Sequence, residues 1–443
     1  MKRRIFGEEN RGKNMDDRKD CGEGCVLYIP GNDIQIRKFL PVARKLHRIL
    51  EVVSIAKFKQ EGIEEALNAA GIRYERLEEL SMDAVRKIIK SKKPSVIVIG
   101  NYTEVTPAMF VDVGNELGIP SITLQDGAYH VITATTKFTL RHLLRAFSLY
   151  KPQYLLKRLG DKLRAIGDKN KTQNDNVKPR ALYGIGNCTK IAVFGEFTKK
   201  MLVERGTDSS RVVVVGNPDY DRFADKYSAR TNIRKIFGIP ENKKIVLLAT
   251  SDLAGARLWT YEDMEYFVKS VVSEVCNMED DGVQLIIKIH PREIKSDYDR
   301  YLTTAQRTKV IVTKDTNIYD LIDASGAVLT DISSVALDAI AMGKPVGIVN
   351  LTGRPYPCIP YPEEYMRKGV ALEMRKKEEI RRVVKRLLGD AQRPDGRGFS
   401  ALLKDMKKSR ENFLKEQLLS IDGKSGKRAA WAIEELAEEK RIK

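Results

Sequence analysis

The chain is poor in the residues from which compact chemical sites are often built. Its 443 residues include five cysteines, four histidines and two tryptophans. The thiols Cys21, Cys25, Cys188, Cys276 and Cys358 are too few, and odd in number, for a disulfide framework. Free thiols in a reducing compartment are the simple reading. Cys21 and Cys25 have no second Cys/His pair nearby, which argues against a zinc site. No run approaches the ~18 apolar residues of a membrane-spanning helix. Residues 1–21 lack an apolar h-region, so a disordered tail is expected there, not a secretory signal.

Familiar nucleotide and hydrolase motifs are missing too. Gly423-Lys424-Ser425 has Leu418 where a phosphate loop needs its first glycine. Gly184-Ile185-Gly186 precedes a strand pattern, so a dinucleotide fingerprint is not expected. There is no His-Glu-x-x-His and no Gly-x-Ser-x-Gly. Asp219/Asp221 and Asp297/Asp299 are Asp-x-Asp triplets that could hold a divalent cation, but solvated loop acids are the expected reading. No metal and no cofactor is expected.

What the chain has in excess is positive charge. Lys and Arg number 78 against 60 Asp and Glu, a net +18. Half of that excess lies in residues 137–180, where twelve Lys and Arg face only Asp161, Asp168 and Asp175. Such a segment suits an anionic membrane surface, a phosphorylated substrate or nucleic acid. Leu140, Leu143, Leu144 and Phe147 recur at i, i+3, i+4 and i+7, as on an amphipathic helix. Such a helix could lie on an anionic membrane or pack on the protein itself. The hydrophobic share of 42% and charged share of 31% are those of an ordinary globular chain.

Short β-branched runs alternate with helical patterns along most of the length. Strands are predicted at 25–29, 52–56, 95–99, 121–124, 190–194 and 212–215. A second series is predicted at 245–250, 284–289, 309–312, 327–329 and 345–349. Helices are predicted at 34–50, 63–70, 261–276, 318–322 and 335–341. The alternation predicts an α/β protein of two doubly wound, Rossmann-like domains facing across a cleft. The domains are expected at 22–218, carrying the basic insertion 137–180, and at 235–385. Charged C-terminal helices fill 386–443, one of them able to return to the first domain.

Two motifs of the second domain point to anion chemistry. Lys288-Ile289-His290-Pro291-Arg292 ends a strand, where open α/β sheets bind ligands. His290 and Arg292 can both donate to an anion there; a basic turn closed by Pro291 is the plainer alternative. Thr330-Asp331-Ile332-Ser333-Ser334 follows the strand at 327–329 and opens a helix. Its backbone N–H groups suit phosphate oxygens, although Ser333 or Ser334 could be a simple N-cap. Asp338, one turn on, could accept from ribose hydroxyls.

His-Pro at a strand end, followed by Thr-Asp-x-Ser-Ser and Gly343-Lys344-Pro345-Val346, resembles the second domain of GT-B-fold enzymes. The nearest resemblance is to the CDP-glycerol glycerophosphotransferase family and related capsular or surface-polysaccharide glycosyltransferases. Gly216-Asn217-Pro218-Asp219-Tyr220-Asp221 is similar to the turn these groups carry between domains. The resemblance implies that His290, Ser333 and Ser334 hold a donor pyrophosphate and Asp338 the ribose. Those transferases carry a His-Gly pair after a first-domain strand, and the His is the base. Here the pair reads Asp126-Gly127. Asp126 could deprotonate an acceptor hydroxyl, with His130 a second candidate and a tight turn the bland alternative.

The implied function is a glycosyltransferase moving a sugar from a nucleotide-sugar donor to a surface-polysaccharide or lipid-linked glycan. The alternatives are a CDP-glycerol-type polyol-phosphate transferase, a UDP-N-acetylglucosamine 2-epimerase, and a non-enzymatic nucleic-acid-binding protein. The nucleic-acid reading leaves the His-Pro and Ser-Ser motifs unexplained. The expected partners are an activated donor, a glycan or lipid-linked acceptor and an anionic membrane surface. The expected location is cytoplasmic or peripheral at the inner face of the membrane.

Overall fold

The computed structural model describes residues 24–55, 62–78, 80–102, 105–127, 186–225, 227–255, 258–278, 282–354, 361–389 and 399–439. His130 and the basic segment 137–180 lie outside the described residues. The chain divides into two compact units, Met1–Ala224 with Glu416–Lys443, and Asp225–Lys415.

The first unit holds a seven-stranded sheet. Its strands are β1 (Val26–Ile29), β2 (Leu50–Ile55), β3 (Glu75–Leu77), β4 (Val96–Ile99), β5 (Ser121–Leu124), β6 (Lys190–Val193) and β7 (Val212–Val214). All pairs are parallel, in the order β3-β2-β1-β4-β5-β6-β7. Both faces are covered, so the central strands are apolar throughout. The period of two still sorts the side chains. Val26, Tyr28, Val96 and Val98 pack with Ile36, Phe39 and Leu67 on one face. Leu27, Ile29, Ile97 and Ile99 pack with Val85, Ile89 and Phe110 on the other.

The second unit repeats the plan with β8 (Lys244–Ala249), β9 (Val283–Lys288), β10 (Ile311–Thr313), β11 (Ala327–Thr330), β12 (Val346–Val349) and β13 (Leu372–Met374). The order is β10-β9-β8-β11-β12-β13, again all parallel. The helix Tyr261–Cys276 starts on a capping box between Thr260 and Asp263. It buries Met264, Phe267, Val268, Val271, Val272 and Val275, an i, i+3, i+4, i+7 stripe, against Val246, Leu248 and Ile287. Each such burial is worth about 1.5–3 kcal/mol. Two doubly wound α/β sheets are thus the architecture the alternation predicted.

The helix expected at 34–50 ends earlier, spanning Asp33–Ala43. The remaining apolar positions serve the turn at Leu46 and the start of β2 at Leu50. The edge strands β3 and β13, three residues each, were not predicted. Their sequences, Glu-Arg-Leu and Leu-Glu-Met, carry no β-branched run.

The helix Ser425–Glu439 is charged in composition but buries Ala429, Ile433 and Leu436 in the core of the first unit. Asp221 fixes its start. The two carboxylate oxygens accept the N–H groups of Ser425 and Gly426 at 2.8 and 2.7 Å. Asp219 is buried and pairs with Arg222. This first triplet is therefore a structural anchor, not a pair of solvated loop acids. Gly216 permits the turn before it, with φ of 85° and Ser425 too close for a Cβ.

Candidate active site

In the second unit, three adjacent strands end in register. Lys288 of β9 pairs with Ala249 of β8, and Ala249 pairs with Thr330 of β11. Neighbouring strands lie ~4.8 Å apart, so the segments that follow emerge side by side. They are Ile289–Arg292, Thr250–Asp252 and Asp331–Ser334. The crevice between β8 and β11 is where the strand order reverses, the place where open α/β sheets take their ligands.

His290 is half-buried at this edge. Its Nδ1 accepts the backbone N–H of Arg292 at 3.1 Å, so the neutral ring carries its proton on Nε2. Burial, and then the Arg292 guanidinium, hold its pKa below the usual histidine range, while Asp252 opposes them. The site therefore holds a neutral imidazole with an N–H donor. Arg292 is exposed and pairs with Asp252 at 3.2 Å.

The His290 loop stands on a half-buried acid. Glu293 Oε2 accepts the N–H of His290 at 2.8 Å and the hydroxyl of Thr250 at 2.6 Å. Glu293 Oε1 lies 3.0 Å from the Tyr298 hydroxyl. Burial pushes the Glu293 carboxyl above its ordinary value. From the side, Lys288 Nζ donates to the carbonyls of Ile289 and Lys314, and Lys314 Nζ to that of Glu293.

Asp331, 1% exposed, organises the second loop. It accepts from the N–H and hydroxyl of Ser251 at 2.9 and 2.6 Å, and from the N–H of Ile332 at 2.5 Å. Burial drives its pKa upward against these donors and the N–H of Ser333. The Ser251–Asp331 bonds tie β8 to β11 across the crevice. Ser333 Oγ accepts the N–H of Val335 at 3.3 Å and so behaves as a cap for the helix Val335–Ala341. Ser334 is exposed and its side chain makes no capping bond. Asp338 is half-buried one turn further on. Ser251, Glu293 and Asp331 were not singled out in the sequence, because their roles arise from partners on other strands.

In the first unit, Asp126 follows β5 and lines a pocket with Tyr28, Gln35, Lys38, Phe39, Gly100, Leu124, Gln125 and Pro218. Gln125 is buried and locks the strand end. Its N–H donates to Ala192, its Oε1 accepts from the N–H of Phe194, and its Nε2 donates to the Gly127 carbonyl. Asp126 Oδ2 accepts from Gln35 Nε2 at 2.8 Å. Among the described residues, no three of His, Cys, Asp and Glu are grouped to hold a metal ion.

Comparison with protein families matches residues 148–352 to the model described as CDP-Glycerol:Poly(glycerophosphate) glycerophosphotransferase. The stretch takes in His290, Arg292, Ser333, Ser334 and Asp338; Asp126 lies before it. A search of curated proteins found no match. Among solved structures the chain is similar to the wall teichoic acid polymerase TagF, with TM-score 0.55 and 11% identity over 96% of this chain and 91% of that one. It is also similar to the UDP-GlcNAc 2-epimerase from Neisseria meningitidis bound to UDP-GlcNAc, with TM-score 0.57 and 14% identity over 94% and 99%. A third is the glycotransferase of kitacinnamycin, with TM-score 0.57 and 13% identity over 93% and 99%. These likenesses establish the fold, two Rossmann-like units of the GT-B type.

Proposed function

We propose that the chain is a transferase that moves a polyol-phosphate or glycosyl group from a nucleotide-activated donor to a cell-envelope polymer. One observation carries the reading. The stretch that matches the glycerophosphotransferase model is the one whose strand ends gather His290, Arg292 and the Ser333-Ser334 turn at the reversal of strand order. A soaked TagF structure is described with CDPG, which makes CDP-glycerol the first donor to test.

On this reading His290, through its Nε2 proton, Arg292 and the Ser333-Ser334 turn hold the donor phosphates. Asp338 accepts from the ribose hydroxyls. As the bond to the leaving nucleotide breaks, negative charge grows on its phosphate. Donors already fixed in place stabilise that charge at little reorganisation cost. Asp126 takes the proton of the attacking acceptor hydroxyl. The basic segment 137–180 brings the protein to an anionic membrane surface that carries the acceptor. Among the described residues no helix is long and apolar enough to cross a membrane.

The leaving group identifies the reaction. CDP-glycerol attacked at phosphorus releases CMP, whereas a UDP-sugar attacked at carbon releases UDP. The chain is incubated with CDP-glycerol or UDP-N-acetylglucosamine and a lipid-linked glycerophosphate oligomer. Nucleotide release that requires the oligomer is expected. Epimerisation of the UDP-sugar without nucleotide release would overturn the reading.

A further inference from the structure

The helix Asp33–Ala43 reaches Asp126 at two points, from residues three apart in sequence and so on one helix face. Gln35 Nε2 donates to the Asp126 carboxylate at 2.8 Å. Lys38 Nζ donates to the Asp126 backbone carbonyl. Gln35 is itself fixed. It is 2% exposed, and its Oε1 accepts the N–H of Gly31 at 2.8 Å. Its own N–H is taken by Asn32 Oδ1 at 3.0 Å. Gly100, at the end of β4, leaves room for it, since a Cβ there would meet Gln35 Cδ at 2.3 Å. The bond to Gly31 makes Gln35 Oε1 the acceptor, so Nε2 must be the atom turned to Asp126. A glutamine buried with its amide orientation dictated, beside a glycine that makes space for it, is a built support.

We propose that Gln35 and Lys38 are positioning residues that clamp Asp126 as the general base of the transfer reaction. The inference rests on the assignment of Asp126 as base made above. The Gln35 amide stabilises the carboxylate form and fixes its direction, and Lys38 holds the backbone from which it projects. A base poised for one acceptor hydroxyl needs both, because small displacements of a proton acceptor cost rate steeply. Both residues lie in the first unit and the proposed donor site in the second, so their loss should be felt in turnover and not in donor affinity.

The test is a double-mutant cycle on the nucleotide-release assay, with whichever of CDP-glycerol and UDP-N-acetylglucosamine is turned over. Asp126→Asn should lower kcat by about 10²–10⁴-fold. Gln35→Glu keeps the acceptor for Gly31 but turns a carboxylate on Asp126, and should lower kcat about tenfold or more with donor Kd unchanged. In the Asp126→Asn background Gln35→Glu should add almost nothing, because it acts through the group already removed. Lys38→Met should behave likewise, and provides the same cycle if Gln35→Glu fails to fold. Full additivity in both cycles, or an equal loss of donor binding, would make the two residues structural and overturn the clamp. If Asp126→Asn leaves kcat unchanged, the base assignment falls first and the clamp with it. If neither donor is turned over, the transferase reading itself fails.

Discussion

His290 was legible because a His-Pro at the end of a buried strand run is exposed by the strand-end rule alone. Its protonation state was not, since burial and the Arg292 guanidinium set it. That state has a measurable consequence. On the proposed reading the donor's phosphates favour the imidazolium, so the complex should have the higher histidine pKa. Donor affinity should therefore rise as pH falls from the complex's pKa toward that of the free protein, and then level off. In the free protein the sign is opposite. The unfolded chain binds this proton more readily, so the contribution of His290 to stability falls as pH drops below about 6.5. Titration calorimetry across this range should show proton uptake on donor binding, lost in His290→Gln. Binding without proton uptake would place His290 away from the phosphates. Asp331 was quoted in the sequence motif but not as a support, because Ser251 lies eighty residues away. Asp331→Ala should strand the Ser251 and Ile332 donors and destabilise the second unit by about 2–4 kcal/mol. In a Trp431→Phe background Trp259, packed on the second unit's core, reports that loss in urea.

At the scale of elements, the central strands were legible because burial on both faces demands continuous apolar runs, as in Val96–Ile99 and residues 245–249. The edge strands β3 and β13 were not, since neither carries a β-branched run, whereas the edges β7 and β10 were read from theirs. The helix Ser425–Glu439 was legible as a helix, yet its attachment was not, because its cap comes from Asp221 two hundred residues earlier. Asp221→Ala removes both acceptors from the helix start. It should cost about 1–2 kcal/mol and speed amide exchange in 425–439 while leaving 261–276 protected. Unchanged exchange in 425–439 would show that the apolar contacts of Ile433 and Leu436 suffice alone.

At the scale of the whole molecule, Glu416–Lys443 groups with Met1–Ala224 in one compact unit, across the intervening second unit in sequence. The alternation of strands and helices was readable, and so was a C-terminal helix able to return to the first unit; that the returning stretch is Glu416–Lys443 was not. The substrate is the least legible property, because strand ends of this kind serve many different ligands. The proposed transfer requires that the second unit's strand ends hold a nucleotide-activated donor. Equilibrium titration of CDP-glycerol, UDP-N-acetylglucosamine and a GDP-linked sugar into the full chain tests it most directly. Saturable binding of one donor is expected, weakened about tenfold or more by His290→Ala and unaffected by Asp126→Asn. Binding of no donor, or binding indifferent to His290, would contradict it.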